Sequence, residues 1–236
     1  MTEPLVLLPG MMCDARVFLP QITDLARDHA VTVAPVSGAE RVEELASSLL
    51  TLLPSKFALA GHSFGGIVAL EILRRAPGRV SRIALMNTTP LPESPAYAAT
   101  REPRIVAARS GRLSQVMHEE LPPSALAPMS DRKAIMALVE DMADHMGADV
   151  FVRQTRALQR RRDQQATLRQ IRQPALVLTG AYDTITPVKR HEFMAELIPY
   201  AELRVIEEAG HLPSLETPEE LNAILRAWLR QPLVLR

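Results

Sequence analysis

The sequence holds a single cysteine, Cys13, and no excess of charge: 27 lysines and arginines balance 27 aspartates and glutamates. One thiol excludes an internal disulfide and a multi-cysteine metal site, and it fits a reducing compartment. A net charge of zero argues against a polyanion-binding protein, so no nucleic-acid partner is expected. No apolar run approaches the length of a membrane span. The run at 5–8 is too short for a signal-peptide core, and the Met1-Thr2-Glu3-Pro4 stretch before it carries no basic residue. A cytoplasmic location and no membrane partner are the expectation. Internal repeats and low-complexity segments are also missing. What remains is 236 residues, 47% of them hydrophobic, enough for one well-buried domain with room for an inserted subdomain.

Short aliphatic runs alternate with helical patterns. Strands are expected at 5–8, 31–34, 57–60, 82–87, 174–180 and 202–206. Helices are expected at about 15–27, with Asp14 as N-cap, and at about 39–53, 66–76, 187–197 and from Thr217 onward. Continuous aliphatic strands between helices imply an α/β protein with a mostly parallel sheet covered on both faces. Ligands of such sheets sit beyond the carboxyl ends of the strands. The rhythm breaks between about 89 and 172, where prolines cluster (Pro90, Pro92, Pro95, Pro103, Pro122, Pro123, Pro128). Helices at roughly 97–109, 112–119, 131–146 and 149–161 are expected there. The division is therefore a core of 1–89 and 173–236 and a helical lid of 90–172.

The densest signal is Gly61-His62-Ser63-Phe64-Gly65-Gly66, between a strand and a helix. A serine on so sharp a turn needs neighbours almost without side chains. Gly61 and Gly65 meet that need, and Gly66 lets the helix pack close to the strand. A serine hydroxyl is a poor nucleophile until a base takes its proton, and the base is normally a histidine oriented by a carboxylate. His211, in Gly210-His211-Leu212-Pro213 just after a strand, is the best-placed base. Asp183, in Gly180-Ala181-Tyr182-Asp183 after another strand, is the best-placed acid. Glu207 and Glu208 precede His211 too closely to reach its far nitrogen. His62 is expected to pack or bond near the elbow, and His29, His118, His145 and His191 to be surface or capping residues. Asp141, Asp144, His145 and Asp149 fit a solvated helix end better than a metal site. Cys13 reads as a buried thiol near the active edge.

The order Ser63, Asp183, His211 in these contexts resembles the α/β-hydrolase superfamily along nearly the whole chain. The resemblance implies the α/β-hydrolase fold with a helical lid. The chain opens at the family's third strand, so about six strands are expected. It also implies Ser63 as nucleophile, His211 as general base then acid, Asp183 as its orienter, and an oxyanion hole from the backbone N–H groups of Met11 and Phe64. The implied chemistry is cofactor-free hydrolysis of a carboxylic ester, or of a lactone or thioester, through an acyl-enzyme. Serine at the elbow argues against the aspartate-based dehalogenases and epoxide hydrolases of the superfamily. C–C hydrolysis and perhydrolysis use the same triad, and a ligand-binding protein with little turnover is the rival from another class. Pro9-Gly10 stands where many members have His-Gly, which leaves the loop carrying Met11 less constrained.

The insertion is rich in methionine (Met117, Met129, Met136, Met142, Met146), which suits an adaptable apolar wall. Met12, Met117 and Met142 are the candidate substrate-binding residues for a small ester or acyl substrate. Arginines recur there too (Arg101, Arg104, Arg109, Arg153, Arg156, Arg161 and others). A solvated helix face accounts for most of them. The sharper reading is an anionic handle such as a carrier-protein phosphopantetheine, and the chain is broadly similar to pimeloyl-carrier-protein methyl esterases.

Overall fold

The computed structural model describes residues 3–233. Met1, Thr2 and the last three residues, all within the ranges assigned to the core from sequence, lie outside them. Six strands form one sheet in the order β2-β1-β3-β4-β5-β6, every neighbouring pair parallel. They are β1 (Leu5–Leu8), β2 (Val31–Val33), β3 (Phe57–His62), β4 (Val80–Met86), β5 (Ala175–Gly180) and β6 (Ala201–Ile206). The four inner strands are buried along their whole length, whereas the edge strands β2 and β6 are mostly half-exposed. That burial explains the continuous aliphatic runs: an inner strand of a covered parallel sheet has no solvent face to alternate with.

Alternate residues feed two separate cores. Leu5, Leu7, Ala58, Ala60, Ala84, Met86, Leu176 and Leu178 face one side. Val6, Leu8, Phe57, Leu59, Ile83, Leu85, Ala175 and Val177 face the other. The second side is closed by α2 (Val42–Leu52) and α3 (Phe64–Arg75), which supply Leu45, Leu49, Val68 and Ile72. The first is closed by α1 (Leu19–Leu25) and, at the chain's end, by α11 (Pro218–Leu229) with the fully buried Trp228. The expected helix at 15–27 is in fact two pieces, a 3-10 turn at Ala15–Phe18 and then α1. Pro20, which has no N–H to give to the preceding turn, sits in the first turn of α1, where a helix start tolerates it. Asp14 caps the 3-10 turn by accepting from Arg16 N–H.

Between β4 and β5 the chain leaves the sheet for five helices: α4 (Pro95–Arg109), α5 (Leu113–Glu120), α6 (Arg132–Met146), α7 (Ala148–Gln159) and α8 (Gln165–Gln170). The last was not expected from sequence, because its six residues carry too short an apolar pattern to stand out. Ile105, Val116, Met117, Val139, Met142 and Phe151 of these helices belong to the same core as the first sheet face, so the insertion is packed onto the sheet rather than hung from it. After β5 come α9 (Val188–Leu197), then β6, the short α10 (Pro213–Glu216) and α11.

The chain runs from β1 outward to β2 and then crosses back to β3 on the other side of β1. Connections therefore diverge at the carboxyl ends of β1 and β3, which opens a crevice there. The elbow sits in it, pressed against β1. A Cβ on Gly65 would lie 2.1 Å from the Leu8 carbonyl oxygen, and both groups are backbone that cannot swing aside. Gly65→Ala is expected to destabilise the protein by ~3 kcal/mol or more, read as a fall in the urea midpoint. Gly78→Ala, where a Cβ meets nothing within 4 Å, serves as the control.

Candidate active site

β3 ends at His62 and α3 begins at Phe64, so Ser63 makes the whole turn alone. It does so with φ 50° and ψ −114°, a left-handed conformation that L-residues rarely adopt. Four hydrogen bonds hold it there. Ser63 N–H donates to Met86 O at 2.9 Å, and the Ser63 carbonyl accepts from Gly66 N, Ile67 N and, at 2.6 Å, the Thr88 hydroxyl.

The structure brings the three chemically paired residues together from the ends of β3, β5 and β6. Ser63 Oγ lies 3.1 Å from His211 Nε2, and His211 Nδ1 lies 2.9 Å from Asp183 Oδ2. Nδ1–H donating to the carboxylate leaves the Nε2 lone pair facing the serine hydroxyl. Asp183 is almost fully buried, yet five donors converge on it. Oδ1 accepts from the N–H groups of Ile185 and Thr186, each at 2.9 Å. Oδ2 accepts from Thr186 Oγ1 at 2.6 Å and Asn87 Nδ2 at 2.8 Å besides His211. Burial by itself would raise the carboxyl's pKa; the charge and hydrogen bond of His211 and the bonds from Thr186 outweigh it and hold Asp183 ionised, well below the usual range. Glu207 and Glu208, the other acids near His211 in sequence, are exposed.

His211 is clamped by its own backbone. His211 N–H donates to the Ala125 carbonyl at 2.7 Å, and its carbonyl accepts from His62 Nε2 at 2.7 Å. Glu216, in α10, binds both sides of this clamp. Its Oε2 accepts from Gly210 N at 2.9 Å, Ala127 N at 2.6 Å and Ser130 Oγ at 2.9 Å, while Oε1 accepts from Leu212 N at 2.8 Å. The loop after β1 has its own tie. Met12, at φ 53°, donates its N–H to Gln154 Oε1 at 2.9 Å, and Gln154 Nε2 donates to Val36 O. Met11 and Phe64 both line the crevice, and the Phe64 N–H is one of the unpaired donors of a helix start.

The crevice is a cleft of about 720 Å³. Its walls include Ser63, His211, Met11, Cys13 and Met117, and it continues beneath the insertion to Glu93, Arg101, Glu120 and Arg161. Met12 and Met142 are fully buried in the core and absent from this lining, so the sequence-based assignment of substrate contact is corrected for both. Met12 and Met142 both belong to the core on the first face of the sheet, which Met142 joins from α6. Burial, and then the nearby Asp14 charge, push the Cys13 thiol up to about 12.

Two further readings change. His191, read from sequence as a surface or capping residue, is completely buried and accepts from Thr88 N–H through Nε2 at 3.0 Å. Arg101 and Arg161 are not on a solvated face. Their side chains are 5% and 11% exposed and meet at Glu93, itself 2% exposed, while Arg104 and Arg101 share Glu120. Sequence reasoning missed Asn87, Thr186, Gln154 and Glu216. Gln154 left a trace, a polar residue on the apolar stripe of α7 between Phe151 and Leu158. Asn87 left one too, the first polar residue after a wholly apolar strand end. Nothing in the sequence marks Glu216. Asp141 pairs with Arg16 across to the loop after β1, and among the described residues no three of His, Cys, Asp or Glu are placed to hold a metal ion. None of the described helices is long and apolar enough to cross a membrane.

Burial sets the acid limb of stability. It holds His62 neutral down to about 3, with His211's charge adding to the effect, and holds His191 neutral down to about 4. Both values lie below the ordinary 6.5, so the unfolded chain takes up the protons first. The stabilisation is complete above 6.5 and drains away as pH falls toward 4, at ~1.4 kcal/mol per pH unit for each histidine. Asp183 adds its own loss only below ~3.9. Urea unfolding at pH 7, 6, 5 and 4.5 should show this slope, and His191→Gln should remove about half of it. A flat profile over that range would contradict the assignment.

The Alpha/beta hydrolase family pattern matches residues 5–224. A candidate carbamate hydrolase, RutD, of Pseudomonas savastanoi pv. phaseolicola is 27% identical over 241 residues, covering 95% of this chain and 93% of that one. The pimeloyl-[acyl-carrier protein] methyl ester esterase of Aromatoleum aromaticum is 28% identical over 206 residues, 80% of each chain. Among solved structures, a thermophilic esterase from Thermogutta terrifontis superposes with a TM-score of 0.89 at 26% identity, over 97% of this chain and 89% of that one. With its elbow, six-stranded parallel sheet and family match along nearly its whole length, this chain belongs to the alpha/beta hydrolase family.

Proposed function

We propose that the protein is a serine hydrolase that cleaves a carboxylic ester through an acyl-enzyme. The observation that carries the reading is the unbroken chain from Ser63 Oγ to His211 Nε2 and from His211 Nδ1 to Asp183 Oδ2, at 3.1 and 2.9 Å, opening on a cleft. The family match and the esterases among its relatives support it.

Ser63 Oγ attacks the ester carbonyl carbon as its proton passes to His211 Nε2. Negative charge moves onto the carbonyl oxygen, where in this reading the Met11 and Phe64 N–H groups, both on the cleft wall, donate to it; one such donor is typically worth ~10²–10³ in rate. The imidazolium, stabilised by ionised Asp183, gives its proton to the departing alcohol as the C–O bond breaks. Water then enters, His211 takes its proton, and the hydroxide displaces Ser63 from the acyl carbon. The acid leaves and the serine recovers its proton. No step calls on a cofactor. The helices between β4 and β5 act in this reading as a lid that shapes the acyl pocket, with Met117 on its wall. Lactones and thioesters follow the same course. The pimeloyl relative extends the class to carrier-linked acyl esters, but Arg101, Arg104 and Arg161 are already neutralised by glutamates and make a poor docking site for a carrier's phosphate.

Ser63→Ala is expected to abolish turnover of short-chain p-nitrophenyl esters and labelling by a fluorophosphonate, with an unchanged circular dichroism spectrum. Asp183→Asn, which removes the charge that fixes the imidazole tautomer, should lower kcat by ~10³–10⁴. Full activity in a well-folded Ser63→Ala protein would refute the mechanism.

A further inference from the structure

The cleft beside Ser63 holds four arginines and three glutamates. Three of the arginines are spoken for. Arg101 and Arg161 meet Glu93, at 2.8 and 2.9 Å, and Arg104 meets Glu120 at 3.1 Å. Arg190 is the exception. Among the described residues it makes no ion pair, and its guanidinium gives one hydrogen bond, from Nη1 to Thr89 Oγ1 at 3.0 Å. A guanidinium has five N–H donors in a planar fork that suits a carboxylate or phosphate edge. Half-exposed at the cleft wall, Arg190 keeps most of that fork unused.

Its position in the chain adds an independent argument. Arg190 is the third residue of α9, the second being Lys189, and the first turn contains no acid. Helix starts carry partial positive charge, so two cations there are unfavourable. Sequences commonly place Asp or Glu at such positions. Lys189 and Arg190 thus place two cations at the positive end of this helix, one of them on the wall of the cleft that holds Ser63, and an anion bound there would relieve the repulsion.

The neighbours fix the anchor relative to the reacting atoms. Thr89, which holds Arg190, follows Thr88, whose hydroxyl binds the Ser63 carbonyl and whose N–H binds His191. His191 follows Arg190 directly. Two adjacent residues at the end of β4 thus brace two adjacent residues of α9, and one of the two also braces the nucleophile. The guanidinium is held at a set offset from Ser63.

Resting on the serine-hydrolase reading, we propose that the substrate is an anionic ester: one whose acid or alcohol portion carries a carboxylate or phosphate that pairs with Arg190. The glutamates opposite serve the same selection. They hold the remaining arginines neutralised, so Arg190 is, among the described residues, the one arginine lining the cleft of Ser63 without a carboxylate partner. An uncharged ester still fits and reacts, but it leaves Arg190 to water.

The test compares three esters in wild type and variants. They are p-nitrophenyl hydrogen glutarate, with the anion on the acyl side; acetylsalicylate, with the anion on the alcohol side; and neutral p-nitrophenyl butyrate. The readout is the ratio of kcat/KM for an anionic ester to that for the neutral one. Arg190→Gln is expected to lower the ratio at least tenfold for one of the two anionic esters, and which one identifies the side that bears the charge. Arg190→Lys should recover part of it, and 0.5 M NaCl should shrink the wild-type ratio. An unchanged ratio in Arg190→Gln for both anionic esters would overturn the proposal. If wild type hydrolyses none of the three, the serine-hydrolase reading fails separately. Binding of glutarate to Ser63→Ala, measured by calorimetry with and without Arg190→Gln, then decides the anchor: at least tenfold weaker binding sustains it, and equal binding or none by either protein ends it.

Discussion

Asp183 is a carboxylate cut off from water, and the site depends on how its charge is met. Five hydrogen bonds reach its two oxygens, from its own loop, from Asn87 after β4 and from His211 after β6. An ionised carboxylate in an apolar interior is stable only when its oxygens are saturated in this way. Each donor comes from a segment that the sheet holds at its carboxyl edge, so the charge is tolerated only while β4, β5 and β6 keep their order and register. In return the carboxylate fixes which nitrogen of His211 carries the proton. The orientation of the imidazole that faces Ser63 is thus set by the sheet several residues away, through one buried charge.

The same economy governs the elbow. A serine at φ 50° is strained, and the strain is held by contacts too close for any side chain. Gly61 abuts the backbone of Gly65, Gly65 abuts Leu8, and Gly66 abuts the side chain of Thr88. β1, β3 and α3 therefore meet at one point with backbone against backbone, and the Thr88 side chain, just after β4, closes the other side of α3. Thr88 is both the surface that Gly66 touches and the donor to the Ser63 carbonyl. Packing and positioning are carried by the same few atoms.

How much of this could be read beforehand follows from the range of each interaction. The sheet was legible because its inner strands are buried on both faces and so become uninterrupted aliphatic runs. The elbow was legible because a local backbone constraint selects glycine at fixed spacing. Ser63, Asp183 and His211 could be proposed as partners because each follows a strand at the same edge. The supporting residues were not legible, since Gln154 meets Met12, and Asn87 meets Asp183, across 142 and 96 positions, and nothing local records such a pairing. The arginines misled for a related reason. A charged residue reads as solvated by default, and only the fold reveals that Glu93 sits where Arg101 and Arg161 both reach it.

The clamp on His211 bears on how such a protein could be rebuilt. The His211 N–H binds Ala125, and Glu216 gathers Ala127, Ser130, Gly210 and Leu212 around one carboxylate. Ala125 to Ser130 belong to the insertion, and Gly210 to Leu212 belong to the sheet's last loop. The insertion is therefore not a detachable cassette. Exchanging it for the helices of a relative would transplant the pocket but cut the moorings of His211, unless the turn between α5 and α6 travelled in register with Glu216. That one turn and the loop after β6 are a single structural unit, although 89 and 86 positions separate Glu216 from Ala127 and Ser130 in the chain.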